Sequence, residues 1–66
     1  MTLIVFKDEK NKPVAISSTS IVKVDYVAED MSEITYRIGD DIFSANVSHP
    51  VLEVVEAINK VTGAWL

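Results

Sequence analysis

Apolar and polar positions follow two different periods along this chain, and the change falls near residue 48. Leu3-Ile4-Val5-Phe6, within Thr2 to Lys7, is a β-branched and aromatic run of strand length, apolar on both faces. Asp8-Glu9-Lys10-Asn11-Lys12 is charged turn material, and Pro13 opens a short segment, Val14-Ala15-Ile16, that completes a hairpin. Proline costs little at a strand start, where no ladder donor is lost. Ser17-Ser18-Thr19-Ser20 then breaks the pattern, because its hydroxyls compete for nearby backbone groups and favour a turn or kink. From Ile21 to Val27, Val22, Val24 and Tyr26 share one face and Lys23 and Asp25 the other, the alternation of a half-buried strand. Ala28 to Ser32 is a polar connection. Ile34, Tyr36 and Ile38 alternate with Glu33, Thr35 and Arg37, Gly39-Asp40-Asp41 makes a tight turn, and Ile42 to Val47 returns as a partner strand.

The last element repeats near 3.6. Ser48 is placed to cap it, Pro50 sits in the first turn, where a missing N–H costs nothing, and Val51 to Thr62 runs without a breaker to Gly63. The expected fold class is therefore α+β: one domain over residues 1–66, with a small antiparallel meander of four to five strands followed by one C-terminal helix.

That helix carries more apolar surface than one sheet requires. With Val51 at zero and about 100° per residue, Glu53, Glu56 and Lys60 form a polar stripe about 60° wide. Leu52, Val54, Val55, Ala57, Ile58 and Val61 extend the apolar arc to about 220°, where a surface helix typically needs little more than about 100°. Ala64-Trp65-Leu66 adds apolar surface just beyond. Two arrangements satisfy this. The sheet curls around the helix and Trp65 packs back in cis, or part of the helix and the tail form an interface between chains. The second makes Val54, Ala57, Ile58, Val61, Trp65 and Leu66 the candidate interface and predicts a homodimer or higher assembly.

Length and composition point the same way. A 66-residue chain without cysteine has neither disulfides nor thiolate metal sites to compensate for a small core, so oligomerisation is the remaining source of added stability. Six basic residues against ten acidic ones give a net charge of −4, which argues against nucleic acid as a direct partner. No apolar run approaches the roughly 20 residues of a membrane span, and no signal-peptide pattern is visible, so the expected location is cytoplasmic, away from membranes.

Candidate chemistry is sparse. His49 is the single histidine, without a spaced second ligand, and reads as structural or neutral. Asp40 and Asp41 are adjacent and so point to opposite faces, a solvated turn and not a metal site. Glu29, Asp30 and Glu33 read as a solvating acidic group around a loop. The serine run lacks a nucleophile elbow, and the chain's two glycines, Gly39 and Gly63, make no phosphate loop. No catalytic, cofactor-binding or metal-binding residue is expected, and the chain is not expected to be an enzyme.

Lys12-Pro13-Val14-Ala15-Ile16, Ile21-Val22-Lys23-Val24, Ser32-Glu33-Ile34-Thr35-Tyr36 and the Ser48–Ile58 segment, with its Glu53-Val54-Val55-Glu56 doublet, resemble the order of elements in small flagellar FlbD-type proteins. Ser17-Ser18 stands where that family usually has Asn-Pro, and no Asn-Gly turn follows the first strand. The resemblance implies a small accessory protein with no catalytic residues. The function expected from the sequence is a non-catalytic protein-interaction or accessory module, homo-oligomeric and with a protein partner. The alternative is an acidic regulator or inhibitor of phage type that occupies a basic nucleic-acid site on its partner through Glu29, Asp30, Glu33, Asp40 and Asp41.

Overall fold

A computed structural model describes residues 2–62, except for the side chain of Thr62. Five strands precede one helix: β1 (Leu3–Lys7), β2 (Pro13–Ser17), β3 (Ile21–Ala28), β4 (Met31–Ile38), β5 (Asp41–Val47) and α1 (Val51–Thr62), with a single 3-10 turn at Ser18–Ser20 between β2 and β3. The α+β class and the strand order follow the sequence pattern. The strands form two sheets, however: an antiparallel β1–β2 hairpin and an antiparallel β3–β4–β5 meander. One isolated bridge, Asp8 to Val47, ties the end of β1 to the end of β5.

Local chemistry sets the turns. The Asp8 carboxylate accepts the N–H groups of Lys10 and Lys12, each at 2.9 Å, and the Asp8 N–H donates to the Lys12 carbonyl at 2.8 Å. Asn11 takes the left-handed conformation at φ 62°, which asparagine tolerates better than most residues. Between β4 and β5 the turn contains only Gly39 and Asp40, because Ile38 pairs with Asp41. Gly39 adopts φ 62° at the first central position, the demand of a hairpin turn whose twist matches its strands.

The core consists of Ile4, Phe6, Ile16, Ile34, Val47 and Val54, with Val14, Ile21, Val24, Tyr36, Ala57 and Ile58 packed around it. The meander, the hairpin and the helix all contribute. In β1, Ile4 and Phe6 point inward and Leu3 and Val5 outward, so the run apolar on both faces buries only one of them.

Several expectations about faces require correction. Register shifts lie between Ile21 and Lys23 and between Tyr26 and Ala28 of β3. The first shift leaves Val22 without a register partner and exposed, whereas Tyr26, in unbroken register with Val24 and opposite Ser32, keeps the expected face and is still 70% exposed. Ser32, expected in a loop, is a fully buried residue of β4. Ser48 does not cap the helix: its hydroxyl donates to the Asp8 carbonyl at 2.9 Å, and its N–H donates to the Lys7 carbonyl at 2.7 Å.

Candidate functional site

The two ends of the molecule differ in chemistry. At one end, β1 runs into Asp8, β5 ends at Val47, β4 begins at Met31 and α1 starts at Val51. His49 joins these pieces. Its Nε2 accepts the Lys7 N–H at 3.0 Å, so the ring proton resides on Nδ1, which donates to the Glu53 carboxylate at 2.8 Å. Phe6 meets the imidazole edge-on, with centroids 5.9 Å apart. The Ser32 hydroxyl donates to the His49 carbonyl at 2.6 Å, which satisfies a polar group otherwise buried without a partner.

A histidine–carboxylate pair invites a catalytic reading. The ring nitrogen that a general base would use is already occupied by a backbone N–H, and general-base chemistry needs that lone pair free. In this arrangement His49 ties β1 to the start of α1. The Asp8 carboxyl nearby is held below its ordinary value, first of all by the Lys12 N–H it accepts and also by the Lys10 N–H and the two lysine charges. Among the described residues, no group of three or more histidine, aspartate or glutamate side chains converges in a way that could hold a metal ion.

At the other end the apolar surface continues where its cover stops. β4 alternates strictly, so Ser32, Ile34, Tyr36 and Ile38 lie on one face, yet burial falls along that row until Ile38 is 60% exposed. Phe43, the partner of Tyr36 in the register, stacks on its ring at 5.7 Å and is also exposed. Between this row and the hairpin is a cleft of about 300 Å³, lined by Leu3, Ala15, Ile16, Tyr36 and Ile38, with Ser17 and Ser20 at its edge. Leu3 is 57% exposed there. A wider, polar cleft of about 450 Å³ lies by the first turn, between Asp8, Glu9, Lys10 and Val14 on one side and Glu33, Ser44 and Asn46 on the other. Its mixed charges favour no single ligand sign.

The candidate interface residues separate in the structure. Val54 is fully buried in the chain's own core, and Ala57 and Ile58 are half-buried against it, so their area is largely committed within one chain. Val61 is different. It lies between Ala57 and Val54 on the helical wheel, in the middle of the buried face, yet it is 42% exposed because the last turn of α1 passes beyond the core. Trp65 and Leu66 lie outside the described residues. Leu3, Ile38 and Phe43 were not singled out by sequence: Leu3 belongs to a run apolar on both faces, Ile38 to an alternating strand and Phe43 to its partner strand, and each reads as ordinary core.

The acidic residues invoked by the alternative reading also separate. Glu29 and Asp30 join β3 to β4, whereas Asp40 and Asp41 lie at the β4–β5 turn, at opposite ends of an eight-residue strand roughly 25 Å long. No helix among the described residues is long and apolar enough to cross a membrane. Comparison of the chain with protein-family models, curated proteins and solved structures gives no match.

Proposed function

We propose that this chain is a small non-catalytic interaction module that associates with copies of itself, and that its contact surface is the apolar end formed by Leu3, Tyr36, Ile38, Phe43 and Val61. The observation that carries this reading is the row along β4. The same face that buries Ile34 completely leaves Ile38 mostly in water, beside an apolar cleft and a stacked aromatic pair. Contiguous apolar surface rimmed by polar groups is the usual mark of a contact site. With six buried apolar side chains among the described residues, the domain also has little stability to spare. Assembly adds to the folded state by mass action.

Sedimentation or light scattering across the micromolar range tests the reading. The expected result is a mass that rises from one chain to two or more, with a melting temperature that rises in parallel. A mass of one chain throughout overturns it. The acidic-regulator alternative gains no single patch from this arrangement, because its acids occupy both ends of β4.

A further inference from the structure

Strand β1 is an edge of its hairpin, and its last residue takes its partners from elsewhere in the chain. The Asp8 N–H donates across the hairpin to the Lys12 carbonyl, so by the alternation of an antiparallel ladder the Lys7 N–H and carbonyl point off the opposite side. Ser48, directly after β5, serves that carbonyl with its N–H at 2.7 Å. A continuing strand would offer a carbonyl to the Lys7 N–H, but the chain leaves the sheet and starts α1 at Val51. The His49 ring takes that place, its Nε2 accepting at 3.0 Å. A backbone carbonyl always accepts, whereas an imidazole stops accepting once it gains a proton.

We propose that His49 is a proton-operated latch: neutral, its ring joins β1 to α1, and charged, it releases the Lys7 N–H and stays with Glu53. The two sides of the ring respond oppositely. On the Nδ1 side the proton already points at the Glu53 carboxylate, 2.8 Å away, and charging the ring makes that contact an ion pair. On the Nε2 side a new N–H faces the Lys7 N–H, two donors with no acceptor between them. The imidazole is 23% exposed and Lys7 is exposed, so water can solvate both donors once they part. The release is therefore a local opening. The bonds from Ser48 to Lys7 and Asp8, and from Ser32 to the His49 carbonyl, do not involve the ring and persist.

The charged groups around the junction leave this response to Glu53. At the end of β1, the Lys7 side chain is exposed and the Asp8 carboxylate is engaged by the N–H groups of Lys10 and Lys12. Glu9 and Lys10 of the first turn and Glu33 of β4 line the polar cleft beyond it. The end of β5 contributes the uncharged Val47.

His49 is the only histidine, so its ring resonances report its charge without ambiguity. They are followed by NMR on the full chain between about pH 8 and about pH 5, the range in which histidine ordinarily titrates, together with amide exchange corrected for its intrinsic pH dependence. The expected result is that the Lys7 amide loses protection about tenfold in step with the ring, while the Ser48 amide keeps its own. Glu53→Gln retains an acceptor for Nδ1 without the charge, and is expected to move the midpoint to lower pH with Lys7 release still following the ring. His49→Gln has no proton to gain, and is expected to make Lys7 protection independent of pH. Lys7 protection that holds while the ring charges overturns the proposal, and so does a ring that does not titrate in this range. Joint loss at Lys7 and Ser48 also overturns it, since that is a general loosening of the closed end. None of these outcomes bears on self-association, which is placed at the other end of the molecule.

Discussion

Ile34 and Ile38 are the same residue on the same face of the same strand, yet one is fully buried and the other is 60% exposed. The contrast between them is the contrast between the two ends of this molecule. At the closed end, side chains bind backbone: Ser32 to His49, Ser48 to Asp8, Asp8 to Lys10 and Lys12, and His49 to Lys7. These bonds join β1, β4, β5 and α1, elements far apart in sequence, at the position of the Asp8–Val47 bridge. At the apolar end, β1 begins, β4 ends and α1 overshoots the core, so the elements approach without closing over one another. A small chain can seal one end of a two-sheet sandwich with hydrogen bonds and still lack the residues to cover the other. The uncovered end is then the natural place for a partner.

The largest expected effect breaks the comparison at its centre. Ile34→Ala removes about 2–5 kcal/mol, a core-cavity cost. A chain of this size has only about 3–10 kcal/mol in total, so denaturant melts should show a variant largely or wholly unfolded. Ile38→Ala changes monomer stability by less than about 0.5 kcal/mol, as surface substitutions generally do, while weakening association. Equal losses at the two positions would remove the distinction between the ends.

Next comes the closed end itself. Ser32→Ala leaves the His49 carbonyl without the hydroxyl that now satisfies it, at a cost of about 1–3 kcal/mol in a denaturant melt. The amides of Lys7 and Ser48 should lose hydrogen-exchange protection together in that variant, since both belong to the same junction. Gly39→Ala tests the other end of β4. An added Cβ meets nothing within 4 Å, so the cost is the backbone's alone, about 1 kcal/mol for a φ of 62°. A loss well beyond that would mean the turn packs against something at the apolar end.

The smallest effect is electrostatic. Asp8 has a lowered pKa in the folded chain, so its contribution is present above the ordinary carboxylate value of 3.8 and is lost as pH falls through the folded value. Asp8→Ala should make the melting temperature less sensitive to pH across the acidic window just below that value. An unchanged acid limb would show that the Lys10 and Lys12 N–H bonds do not distinguish the charged carboxyl from its neutral form.

The sequence pattern anticipated what depends on local chemistry. Helix α1 begins where Pro50 places it, and the alternation of Ile34, Tyr36 and Ile38 located β4 and its inward face. It did not reveal how far along β4 the cover extends, because that depends on where the hairpin and helix stop. Ser32 was illegible for a related reason: a serine is buried only if a distant carbonyl accepts its hydroxyl, and His49 lies 17 residues away. Val22 was assigned inward because period-2 reasoning assumes an unbroken register, which the shift between Ile21 and Lys23 interrupts, whereas Tyr26 keeps its expected face opposite Ser32 and is exposed because no described residue covers it there. The wide apolar arc of α1 was read as a surplus over one sheet. Much of it is absorbed by the chain's own two sheets, and Leu52 and Val61 remain exposed.

The most direct test of the account follows backbone amide chemical shifts as the protein is diluted. The account predicts that association perturbs Leu3, Ala15, Ile38 and Phe43 and the last turn of α1 around Val61, while Lys7, Asp8, Ser32 and Ser48 keep their positions. Perturbations centred on the closed end, or none at any concentration, would contradict it.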